Sequence, residues 1–130
     1  LKLTDRVKFL GWHADPRPLY CAADLAVHAS KRESLSNFLI EAHAPGLPAL
    51  ACAARGVDET LIDDETGHLM PQGELQQFAE AVTHLCSSRD RLQVMGERGR
   101  AYALAHFSAE AQIKAHLDLF EKLALLPPSA

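Results

Sequence analysis

The residue pattern predicts an α/β fold: a doubly wound parallel sheet with helices gathered at its C-terminal end. Three observations predict it. Short β-prone runs alternate with helical ones as far as Met70, the pattern that builds a parallel sheet covered by helices. After Met70 the period changes, and apolar residues recur at helical three-and-four spacing to the end of the chain. A chain of 130 residues has room for one core, so both halves belong to one domain.

Each element follows from local signals. Val7 to Leu10 reads as a first strand closed by Gly11, and Asp15-Pro16 starts a short helix reaching Ala23. Leu25 to Ala29 is a compact second strand. Ser34 or Ser36 can cap the next helix, which Gly46 ends. Pro48 leads into a third strand, Ala49 to Ala53, and Thr60 to Asp63 reads as one helical turn before a fourth strand at His68 to Met70, introduced by Gly67. Glu74 to Cys86 places residues 75, 78, 79, 82 and 85 on one face expected to be buried. A helix over Arg89 to Ala105 follows, in which Gly96 and Gly99 suit close helix packing. A last helix is capped by Ser108, carries Ile113, Leu117, Phe120 and Leu123, and ends at Pro127-Pro128.

Composition narrows the function. The net charge is −4 and the basic residues are scattered, which argues against a nucleic-acid partner or an acidic membrane surface. Cys21, Cys52 and Cys86 lie in apolar surroundings without paired spacing, and are expected to be small core residues with no disulfide. The seven histidines show no convergent metal spacing; His28 is expected to be a strand residue and His43 a helix residue, and no metal site is expected. No run has the length of a membrane span and no signal-like segment opens the chain, so the expected compartment is the cytoplasm. The start, Leu1-Lys2-Leu3-Thr4-Asp5, is expected to continue from a preceding helix and turn of a longer protein.

In a sheet of this kind the ligand sits beyond the carboxyl ends of the strands, where loops enter helices. That puts Glu33 in a candidate site. The backbone N–H groups of Ser34, Leu35 and Ser36 follow it, at a helix start that favours an anion such as phosphate. Glu41 lies further in, about 8 Å along the helix axis. An anion in the middle and hydroxyls at both ends would suit such a layout, because a carboxylate can accept from two adjacent hydroxyls at once. A nucleoside diphosphate sugar has that shape. On the residues alone, Glu41 reads first as a solvent-facing helix residue, and Glu33 also as a charge stabilised by the helix dipole.

The stretch E-S-L-S-N-F-L-I-E-A, with A-P-G-L-P-A-L-A after it, resembles the donor-binding segment of retaining family-four glycosyltransferases of the GT-B fold, whose motif is Glu, seven residues, Glu. Val7-Lys8-Phe9-Leu10-Gly11, Leu19 to Asp24, Glu65 to Pro71, and Met95 to Arg100 with Phe107-Ser108 are similar to further segments of that family in the same order. The resemblance spans nearly the whole chain. It departs where paired glycines are usual and Arg55-Gly56 stands, and at Pro45, where a helix-compatible residue is usual.

The resemblance implies that residues 1–130 are part of the C-terminal, Rossmann-like domain that binds a nucleotide sugar. Glu33 would be the catalytic-centre carboxylate on the donor sugar, Glu41 would hold the ribose hydroxyls, and Ser34, Leu35, Ser36 and Asn37 would complete the donor site. Lys31, Arg32, Arg55, Gly56 and Glu59 are secondary candidates, for which surface, turn or helix-start roles are the alternative. It further implies no cofactor and no metal, an acceptor-binding domain preceding Leu1, and membrane contact only through that missing part. Another GT-B enzyme, such as a nucleotide-sugar epimerase, and a non-catalytic α/β interaction module are the alternatives.

Overall fold

The computed structural model describes residues 3–124. Three strands form one parallel sheet in the order β1 (Ala26–His28), β2 (Ala49–Cys52), β3 (Gly67–Met70). Ala26 pairs with Ala49, and Ala49 with Gly67, so the strands start level, and β2 and β3 run one residue further than β1. Five helices complete the fold: α1 (Arg17–Ala22), α2 (Asn37–His43), α3 (Leu75–Cys86), α4 (Arg89–Phe107) and α5 (Ala109–Ala124).

The central strand explains the layering. Side chains alternate across a strand, so Ala49 and Ala51 face one core with Ala26, Leu39, Ala42, Leu47, Val57 and Leu61. Leu50 faces the other, with Met70, Leu85, Leu92 and Met95. Helix α2 supplies the first layer, and α3 with α4 the second, so the sheet is covered on both faces as a doubly wound fold requires. Alanines on the α2 side let that helix lie close to the strands.

The α4 glycines act as expected. A methyl group at Gly96 would strike the carbonyl oxygen of Gly46, and one at Gly99 would come within 2.7 Å of His43 Nδ1. Both glycines are buried and let α4 cross the end of α2 at backbone distance. His43 is consequently sealed in. Its Nδ1 lies 3.1 Å from the Leu47 carbonyl oxygen, which makes Nδ1–H the donor, while Nε2 is buried without a partner among the described residues. Burial pushes the His43 pKa below 6.5, against the smaller opposing effect of the Leu47 hydrogen bond.

Several expectations change. Val7 to Leu10 joins no sheet, and Phe9 is 96% exposed. A strand is stable only beside another, and among the described residues nothing lies on the outer edge of β1. The turn expected at Thr60 to Asp63 falls earlier, closed by bonds from the Val57 N–H to the Ala54 carbonyl and from the Thr60 N–H to the Val57 carbonyl, both 2.9 Å, because Asp63 is drawn into a bridge with Gly67. The α3 face is buried only toward its C-terminal end: Leu85 is buried and Phe78 and Val82 are partly so, while Leu75 is 83% exposed and Ala79 is exposed, since the helix leaves the sheet edge at its start. Helix α5 buries none of its residues, and Ile113, Leu117, Phe120 and Leu123 are exposed.

Cys21 and Cys86 are exposed and Cys52 half-buried, so the cysteines are free as expected but are not core residues; the helices carrying Cys21 and Cys86 turn them outward. The caps hold better. Ser88 Oγ accepts from the Arg91 N–H at 3.4 Å and Ser108 Oγ from the Ala111 N–H at 3.1 Å. The expected stop at Pro127-Pro128 and the start at Leu1-Lys2 lie outside the described residues. Pro45 sits in the turn after α2, beyond the last helical residue, so no helix-compatible residue is needed there.

Two stability predictions follow from α4 and His43. Gly96→Ala gains about 1 kcal/mol of helix propensity but meets a backbone carbonyl that cannot rotate away, and is expected to lower stability by about 1–3 kcal/mol in denaturant unfolding. His43 is held neutral in the fold, so its contribution is complete above pH 6.5 and is lost as pH falls below 6.5 toward the depressed folded value. His43→Asn keeps a donor for the Leu47 carbonyl and removes the titration. Thermal melts should show the variant less stable at neutral pH, with a smaller loss on acidification than the wild type.

Candidate functional site

The carboxyl ends of the three parallel strands gather the loops that follow them: residues 29–36 after β1, 53–66 after β2 and 71–74 after β3. Gly56 ties the first two together. Its φ is +83°, a conformation in which glycine is favoured, and a Cβ there would run into the Ser34 carbonyl and come within 3.1 Å of the Glu33 carbonyl oxygen. In return the Ser36 N–H donates to the Gly56 carbonyl at 3.4 Å. Arg55, beside it, is exposed and needs no positive φ, so one glycine suffices where the resemblance suggested two. Gln72 ties in the third loop by donating to the carbonyls of Lys31, at 3.0 Å, and Ala53, at 2.8 Å.

On this platform the two candidate glutamates are joined through aromatic side chains. His28, the last residue of β1, places Nε2 3.0 Å from Glu33 Oε1 and 3.3 Å from Ser36 Oγ. Its ring stacks on Phe38 of α2, with centroids 5.5 Å apart and planes at 24°. Phe38 meets Tyr20 of α1 edge-on at 6.0 Å, and the Tyr20 hydroxyl donates to Glu41 Oε2 at 3.0 Å. Glu33, His28, Phe38, Tyr20 and Glu41 thus form one continuous row. Desolvation, then the hydrogen bond and charge of Glu41, push the Tyr20 phenol up to about 12.

Glu41 is exposed and lines a cleft of about 610 Å³ between the start of α1 and the C-terminal end of α2, with Asp15, Arg17, Tyr20 and Pro45 in its wall. Asp15 in that wall is held below its ordinary pKa chiefly by the Arg17 hydrogen bond. A smaller cleft of about 190 Å³, mostly apolar, opens at the strand ends between Ser30, Lys31, Cys52 and Phe78.

The remaining candidates divide. Glu33 lies in the loop, not on the helix; α2 begins only at Asn37, and although Ser36 occupies its cap position, the Ser36 hydroxyl turns to His28 instead of capping. The Ser36 amide is taken by Gly56 and the Asn37 amide by the Leu35 carbonyl at 3.1 Å, which corrects the expectation of three open amides. Ser34 and Leu35 amides have no protein acceptor among the described residues. Lys31 and Arg32 are exposed on the same loop. Glu59 is exposed, and the Tyr102 hydroxyl of α4 donates to its carbonyl at 3.1 Å; its carboxylate makes no contact with the Glu33 row.

Sequence reasoning missed His28, Phe38, Tyr20 and Gln72. Their signal is positional, since His28 ends a strand, Tyr20 lies one turn inside α1 and Phe38 is the second residue of α2. It also missed the grouping of His68 with Asp63 and Asp64, whose ligand atoms lie within 4.8 Å of one another. That group sits at the opposite, amino end of β3, where Arg91 donates to Asp64 at 3.1 Å.

This fold defines a Rossmann-like α/β class of protein. Residues 1–88 match the glycosyl transferases group 1 family, and the chain belongs to that family. It is 32% identical over 119 residues to the lipopolysaccharide core biosynthesis glycosyltransferase LpsE of Rhizobium meliloti (strain 1021), a match covering 92% of this chain and 35% of that protein. Among solved structures it is similar to sucrose-phosphate synthase from Thermosynechococcus elongatus, at 32% identity and TM-score 0.85, over 93% of this chain and 31% of that one. It is also similar to Anabaena HepE, solved in complex with UDP-glucose, at 29% identity and TM-score 0.82, over 95% and 34%. The architecture is that of the C-terminal part of GT-B glycosyltransferases. The chain spans about a third of the length of the curated relatives it matches. No helix among the described residues is long and apolar enough to cross a membrane.

The Tyr20 environment is open to direct test. In a Tyr102→Phe background, which leaves Tyr20 as the sole tyrosine, ultraviolet titration should place the phenol near 12. Adding Glu41→Gln should lower that value yet leave it above 10, because burial is the larger cause.

Proposed function

We propose that this chain is the donor-binding part of a retaining glycosyltransferase that moves a sugar from a nucleoside diphosphate sugar to an acceptor, a glycan, a lipid or a lipopolysaccharide precursor. The observation that carries the proposal is the row from Glu33 to Glu41 at the carboxyl ends of the parallel strands, in a chain whose structural relative HepE has been solved with UDP-glucose. Relatives named as glycosyltransferases support the transferase over an epimerase or a non-catalytic module.

In this proposal the ribose lies against Glu41. Tyr20 occupies Oε2, which orients the carboxylate and leaves Oε1 for a ribose hydroxyl, within a cleft large enough for a nucleoside. Glu33 accepts from a hydroxyl of the donor sugar and holds the sugar for attack at its anomeric carbon. The diphosphate passes over the loop between them, where the Ser34 and Leu35 amides and the side chains of Lys31, Arg32 and Arg55 offset its charge. Those groups do the work that a metal would otherwise do, so no metal is invoked. The acceptor is held by a preceding domain of the same protein, in keeping with relatives about three times as long, and any membrane contact belongs to that domain. The cytoplasm, where nucleotide sugars are the substrates, is the compartment that suits this reaction.

Titration of the chain with several nucleoside diphosphates, without added metal and followed by NMR, should shift signals between Ser34 and Glu41; an unchanged spectrum there would sink the donor-site assignment. In the full-length enzyme, Glu41→Gln should weaken donor binding by about 1.5–3 kcal/mol with a smaller effect on turnover. Glu33→Gln should do the reverse. Steady-state kinetics with the donor varied would separate the two, and wild-type constants in both variants would overturn the proposal.

A further inference from the structure

We propose that His28 is a positioning residue for transfer: its Nε2–H holds Glu33 in the orientation that receives the donor sugar. The inference rests on the sugar-binding role proposed for Glu33 and extends it to a residue that does not itself touch the donor.

The geometry is that of a fixed donor. His28 ends β1, whose register against β2 is set by the pairing of His28 with Ala51, so its backbone moves with the sheet and not with the loop. Its ring is clamped by the stacked face of Phe38 at 5.5 Å, and its side chain is only 13% exposed. Glu33, by contrast, stands in a loop without regular structure and is 27% exposed. Of the two, the imidazole is the anchored partner. Nε2 lies 3.0 Å from Glu33 Oε1, which leaves the other carboxylate oxygen outside this contact.

The neighbouring hydroxyl distinguishes two tautomers. If Nε2 carries the proton it donates to the carboxylate, and Ser36 Oγ, 3.3 Å away, is the weaker second acceptor. If Nδ1 carries it, Nε2 accepts from the Ser36 hydroxyl and faces Glu33 lone pair to lone pair. A carboxylate at 3.0 Å selects the first. With Gly56 pressing on the backbone carbonyls of Glu33 and Ser34, the glutamate is fixed at its main chain by the loop after β2 and at its side chain by the last residue of β1, the arrangement by which a loop carboxylate acquires the precision of a strand.

The test uses the full-length protein that carries this chain. Nitrogen-15 NMR of labelled histidine, at a pH where His28 is neutral, should show the Nε2–H tautomer; the Nδ1–H tautomer would overturn the proposal without any variant. His28→Phe keeps the ring that stacks on Phe38 and removes the donor, and should lower kcat about ten- to a hundredfold while the donor KM stays within about threefold. His28→Gln, whose amide nitrogen can take the place of Nε2, should restore most of the loss. The double variant His28→Phe with Glu33→Ala should be no slower than Glu33→Ala alone, because His28 then has no carboxylate to position. Wild-type turnover in His28→Phe, additive losses in the double variant, or no rescue by glutamine would each refute the positioning role. If Glu33→Gln itself turns over like the wild type, the sugar-binding role of Glu33 fails first and the inference falls with it.

Discussion

The burial of β2 is the constraint on which the rest of the structure depends. Ala49, Leu50 and Ala51 are wholly inaccessible, each with a neighbour strand on both sides and a helical layer above and below. Two cores form on opposite faces of this one strand: one of alanines, leucines and Val57 against α2, and one around Leu50 against α3 and α4. A buried parallel strand must satisfy its polar backbone through both neighbours. The alignment of β1 and β3 is therefore not free to drift, and the loops that leave their carboxyl ends begin from fixed points.

That fixity reaches the candidate site through few contacts. Gly56 brings the loop after β2 against the backbone of Glu33 and Ser34, Gln72 spans from the loop after β3 to the other two, and His28 extends the rigidity of β1 to the Glu33 side chain. Glu41 is treated differently. It rides on α2 and is steadied by Tyr20 from α1, at the mouth of the cleft in which the nucleoside is proposed to lie. Phe38 touches both His28 and Tyr20, so the two carboxylates share one aromatic support although they belong to different elements.

The crossing of α2 by α4 shows the cost of such closeness. Glycines at 96 and 99 let the helices approach until a histidine ring fills the gap, and that ring keeps buried a nitrogen with no partner among the described residues. An unsatisfied buried nitrogen costs on the order of 1–3 kcal/mol. Here it accompanies a tight junction that holds α2, and Glu41 with it, against the C-terminal helices.

Much was legible in the order of residues because it depends on neighbours in the chain. The alternation of β-prone and helical runs, the serine caps at Ser88 and Ser108, the helix-packing glycines and the spacing of Glu33 from Glu41 are local or periodic signals, and the corresponding elements lie within a residue or two of their expected ends. The expected strand at Val7 to Leu10 shows the limit, for its pattern is that of a strand but a strand exists only beside a partner, and β1 presents none among the described residues. Likewise the hydroxyl of Ser36 could be seen as a cap, yet His28 arriving from the adjacent strand takes it. The amino-acid sequence by itself determined the class of fold, the family and the spacing of Glu33 from Glu41. Only the tertiary structure decided which side chains hold those carboxylates and which amides stay open, because these are contacts between residues distant along the chain, and side-chain reach, glycine clearance and ring stacking act through space.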